Sequence, residues 1–171
     1  SAYVLIPRIT GMDARETRRL LSESASFLFI VGGAICLGIA FWMPAFLAFL
    51  YPDLAQSSGA QEFVLLARIL LIQPILLGLS GVLASVTQVH RRFFLFALSP
   101  VLYNLGIIFG TIFLYPRYGL PGIGAGVVLG ALAYAAVHVP IVVAAKVLPV
   151  PAFPTLSRML PVVRDSVPRS L

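Results

Sequence analysis

The chain has 171 residues, 60% of them hydrophobic and only 11% charged, with a mean hydropathy of +1.00. A soluble domain carries about a quarter charged residues, so this composition speaks against a soluble fold and predicts an integral membrane protein. The net charge of +6 lies beside apolar runs rather than along one soluble face, which argues against nucleic-acid binding, and the lone Cys36 rules out an internal disulfide.

In chain order, Ser1 to Ile6 reads as the last turns of a helix, ended by Pro7-Arg8. The chain is expected to be a piece of a longer protein, and residues 1–24 to hold the end of one span plus a connector. Within that connector, Arg15, Arg18 and Arg19 stand against Asp13, Glu16 and Glu23, a pattern that predicts a short surface helix with a solvated charged face.

Residues 25–145 predict an all-α, polytopic transmembrane bundle of four full spans, at about 25–50, 62–87, 93–114 and 122–145. Each exceeds the ~20 helical residues that cross a hydrocarbon core. In the first, Gly32, Gly33 and Gly38 would admit a close neighbour, Pro44 would loosen the last turns, and Trp42 and Tyr51 suit an interface. The loop 52–61 has no Lys or Arg and is expected outside.

The second span carries Arg68 about two turns from its outer end. Two readings stand: a side chain that snorkels to the headgroups, or a cation facing a polar cavity. Gln73, Ser80, Ala84 and Thr87 form a small-and-polar stripe that predicts packing against another helix.

The short corner His90-Arg91-Arg92 joins the second and third spans, with Arg91 and Arg92 as anchors at the positive-inside face. The third span places Pro100, Asn104 and Thr111 on one face, and Ser99, Tyr103, Gly106 and Gly110 on the next. A turn over Tyr115–Leu120 is expected outside. In the fourth span Gly122, Gly126 and Gly130 form a seam. Its opening glycines lack the strand–helix context of a dinucleotide loop. His138, beside Pro140, reads as a structural hydrogen-bond partner more readily than as a ligand. Residues 146–171 are expected to be a basic cytoplasmic linker to a further span, so both ends of the segment lie inside. No catalytic constellation, metal cluster or cofactor loop is evident.

The passage Arg92-Phe93…Ala97-Leu98-Ser99-Pro100-Val101-Leu102-Tyr103-Asn104-Leu105-Gly106-Ile107-Ile108 resembles the Arg-Phe…Ala-x-x-Pro-x-x-x-Asn-x-x-x-Ile stretch of the MurJ/MviN lipid II flippases. Ala2-Tyr3-Val4-Leu5-Ile6-Pro7 resembles the end of that family's second span. Gly126-Val127-Val128-Leu129-Gly130 with His138-Val139-Pro140 resembles its sixth span, where Gln commonly precedes x-Pro. Arg68-Ile69 matches the family's Arg-Ile, although the proline that follows comes late, at Pro74. The resemblance runs the length of the chain. It implies most of one lobe of an alternating-access carrier in the bacterial inner membrane, with lipid-linked disaccharide-pentapeptide as cargo and other transmembrane spans and membrane lipids as partners. It makes Arg68 and Asn104 candidate cargo contacts, while Pro100, Gly106, Gly110, Gly126, Gly130 and Pro140 are expected to be packing positions. Export of another lipid-linked sugar or a drug, or a fragment that transports nothing, remain the alternatives.

Overall fold

The computed structural model describes residues 2–153, and among them it contains helices and turns but no strand. Helix α1 covers Ala2–Ile9, α2 Ala14–Leu50, α3 Pro52–Ala55, α4 Ala60–Val89, α5 Phe93–Tyr118 and α6 Leu120–Ala144. The long helices α2, α4, α5 and α6 have 37, 30, 26 and 25 residues, each long and apolar enough to span a bilayer. They alternate in direction, so Arg91, Arg92 and Lys146 gather at one end of the bundle, the basic end. The described part of the 146–171 linker is 146–153, and its Arg-rich remainder lies outside the described residues.

Two expectations need correcting. The charged stretch Thr10–Glu23 is not a separate surface helix, because from Ala14 it forms the first turns of α2, which runs on through an underwound π-turn at Leu28–Gly32. At 1.5 Å per residue α2 is about 55 Å long, more than the hydrocarbon core requires. Its face is not fully solvated either: Thr17, Leu21, Ser22, Glu23, Ser24 and Ala25 are buried. Glu23 keeps its charge compensated by Arg19, whose Nε lies 3.0 Å from Oε1. The second correction is at Tyr115–Leu120, where α5 persists to Tyr118 and the reversal is made at Gly119 alone. Gly119 has φ +63° and ψ −149°, a conformation that only glycine adopts without strain.

Two of the prolines interrupt the long helices. Pro74 cannot donate to Leu70 and crowds its carbonyl, and α4 breaks at Leu71. Pro140 acts likewise on α6, which loosens at Val137-His138. The densest core lies at the basic end, where Leu5, Ile9, Leu21, Val82, Leu83, Val86, Val142 and Val147 pack together. Toward the far end apolar side chains point outward, Phe41 and Phe49 among them. Such a surface is stable against lipid or further helices, not against water.

Both descending helices end in the same cap at the basic end. After α4, Arg91 N–H donates to Gln88 O and Arg92 N–H to Thr87 O. After α6, Lys146 N–H donates to Val143 O and Val147 N–H to Val142 O. This is the Schellman pattern, with the left-handed position filled by Arg91 (φ 56°) and Lys146 (φ 59°) where glycine is usual. Each cation thereby sits on the negative end of a helix dipole.

The segment after α6 is then strapped along α2. Arg18 Nε donates to Leu148 O at 3.1 Å, Val150 N–H to Ser22 Oγ at 2.9 Å, and Ala152 N–H to Ser26 Oγ at 3.0 Å. Four residues of helix rise about 6 Å. Two residues of extended chain advance about 6.6 Å, so the two periods match rung for rung. The alternating Pro149 and Pro151 have no N–H to satisfy on the opposite edge.

Candidate functional site

Helices α5 and α6 meet backbone to backbone. A Cβ on Gly110 would come 2.5 Å from Gly126 Cα, and one on Gly106 would collide with the Gly130 backbone. On the other side Gly122 faces the Leu114 carbonyl, where a Cβ would come within 2.6 Å. Gly106, Gly110, Gly122, Gly126 and Gly130 thus lie directly against neighbouring backbone. In contrast, a Cβ on Gly33 or Gly38 of α2 would meet nothing within 4 Å, so among the described residues no helix uses their small size.

Beside the seam, three helices are tied through one imidazole. His138 of α6 is fully buried, with Nδ1 3.0 Å from Thr87 Oγ1 of α4 and Nε2 3.2 Å from Ser99 Oγ of α5. Ser99 spends its own O–H on Leu95 O at 2.8 Å, so toward His138 its oxygen accepts. That assigns the hydrogen to Nε2 and leaves Nδ1 to accept from the Thr87 hydroxyl. Tyr134, one turn earlier, packs edge-on against the ring at a centroid distance of 5.7 Å. The buried stripe Ser80, Ala84 and Thr87 lines this contact region, and Gln73 Nε2 donates to the Tyr103 hydroxyl across the α4–α5 gap.

Arg68 and Asn104 are placed differently. Both are exposed on the described bundle. Asn104 Nδ2 turns back to Pro100 O on its own helix at 2.9 Å, which leaves its carbonyl oxygen facing outward. Pro100 itself is exposed, as is Thr111 on the same face. Arg68 reaches α2, where its Nε donates to Ala40 O at 3.1 Å. It also borders a cavity of about 360 Å³ between α2 and α4, lined by Pro44, Leu47, Gln61 and Val64. No hydrogen bond joins Arg68 to Asn104. The sequence reading missed Ala40, whose only signal was a proline four residues later. It also missed the pairing of His138 with Thr87 and Ser99, which no local pattern encodes. Among the described residues no group of three or more His, Cys, Asp or Glu could hold a metal ion.

Four helices, each long and apolar enough to cross a bilayer and three of them cross-linked at His138, define a polytopic membrane protein. The chain belongs to the lipid II flippase MurJ family, whose model matches residues 3–169. No curated protein and no solved structure matches.

Proposed function

We propose that this chain forms most of one lobe of a lipid II flippase that works by alternating access across a bacterial inner membrane. The family match over residues 3–169 carries the reading. Lipid II has a large anionic head group, which hydrocarbon excludes, so a carrier must supply a hydrated, cationic path and open it to one side at a time. A lobe that rocks as a unit needs helices that do not slide. The glycine contact between α5 and α6 and the His138 tie across α4, α5 and α6 support that requirement. The basic end, with Arg91, Arg92 and Lys146, faces the cytoplasm in this reading. Arg68 and Asn104 face the path: each is exposed on the lobe, and each keeps polar groups free for a ligand.

The test is growth of cells depleted of their own lipid II flippase. The full-length protein should restore growth, and residues 1–171 alone should not. Arg68→Ala and Asn104→Ala in the full-length protein should accumulate normally in the membrane and rescue growth poorly. A full-length protein that is abundant in the membrane and still fails would remove the lipid II assignment. Rescue by residues 1–171 would remove the one-lobe assignment.

A further inference from the structure

The geometry points to a second role for Arg68: it is the positioning residue that holds the far half of α2 against α4, by filling a hydrogen-bond vacancy made by Pro44. In a regular helix the carbonyl of Ala40 accepts the N–H of residue 44. Residue 44 is proline and has none, although α2 continues as a helix through it to Leu50. A helix carbonyl without its intrahelical donor is costly unless another donor reaches it. The Arg68 guanidinium supplies the missing donor through Nε at 3.1 Å, from the neighbouring helix and 28 residues away. The proline thus converts a bond within one helix into a bond between two.

The bond matters because little else holds this part of α2. From Gly33 to Leu50 only Leu47 is buried, while the first half of the helix is anchored by the core and the strap. The π-turn at Leu28–Gly32 separates the two halves. The same bond also sets how Arg68 meets a ligand. A guanidinium has five N–H donors in a rigid planar fork. With Nε spent on Ala40, the two terminal nitrogens remain as an end-on pair, suited to one oxyanion group at the edge of the adjoining cavity. This assignment deepens the proposed role of Arg68 and rests on it only where transport is scored.

The experiment is a double-mutant cycle in the full-length protein, with Arg68→Ala, Pro44→Ala and the pair. Spin labels at Phe49→Cys on α2 and Gln61→Cys on α4, in a Cys36→Ala background, report the separation of the far ends. Arg68→Ala should broaden and lengthen that distance distribution. In the Pro44→Ala background, where Ala40 O regains a backbone donor, it should add nothing. Should Arg68→Ala fail to accumulate, Pro44→Ala should restore its abundance, and no restoration would overturn the assignment. An unchanged distance in Arg68→Ala would overturn it, as would an equal change with and without Pro44. Transport is scored on the same four proteins. Loss with Arg68→Ala in both backgrounds at unchanged distance keeps the cargo contact and removes the positioning role. A coupled distance change with full transport does the reverse.

Discussion

At the scale of single residues, the polar groups of this chain are placed where hydrocarbon would otherwise leave them unpaired. His138 is the clearest case, since one ring receives from Thr87 and donates to Ser99, joining three helices at a point where Pro140 has already loosened α6. Interhelical hydrogen bonds in membranes contribute about 0.6 kcal/mol on average and up to about 1.7. His138→Leu loses two such bonds and strands the Thr87 hydroxyl, so a loss of about 1–3 kcal/mol is expected. His138→Gln keeps an N–H that can reach Ser99 and should lose less, in keeping with the Gln that the family's pattern commonly has there. Thermal unfolding of the solubilised full-length protein checks this. A Leu variant as stable as the parent would mean the bonds contribute nothing net. Arg91 and Lys146 show the opposite balance: a left-handed residue other than glycine costs roughly 1–2 kcal/mol, which attraction to the helix end offsets only in part.

At the scale of elements, the four spans were legible because twenty-odd apolar residues in succession have few other solutions. The glycine seams of α5 and α6 were legible as small-residue faces, but that they pack on each other is seen only in the structure. What sequence could not supply was the fate of α2. Its charged start reads as solvated, yet the Pro-rich segment 148–152, over 120 residues away, accepts from Arg18 and donates to Ser22 and Ser26. Nothing local marks such a pairing, because one partner is backbone. Arg68 was visible as a cation in an apolar run, but its Ala40 partner is likewise a main-chain atom. The proposed orientation of the hairpin α4–α5 is checked with single cysteines in a Cys36→Ala background. Gln56→Cys should react with an impermeant thiol reagent from outside, and Val89→Cys only after permeabilisation. The reverse pattern would invert the topology, and labelling of both from one side would abolish the hairpin.

At the scale of the whole molecule, the packing divides into a buried core at the basic end and a far half of α2 whose apolar side chains face outward. That division suits a lobe held firmly at one membrane face and free to meet partner helices toward the other. Arg68 and Asn104, the proposed cargo contacts, are each exposed, Arg68 beside α2 and Asn104 on α5, with no bond between them. The proposed function requires the full-length protein to move lipid II across a bilayer. Its most direct measurement uses proteoliposomes that contain the purified protein and lipid II fluorescently labelled on the peptide, with a membrane-impermeant quencher added outside. Labelled lipid II initially in the inner leaflet should become accessible to the quencher faster than in protein-free vesicles, while a labelled phospholipid of the same charge should not. No acceleration with correctly folded protein, or equal acceleration of both lipids, would contradict a lipid II flippase.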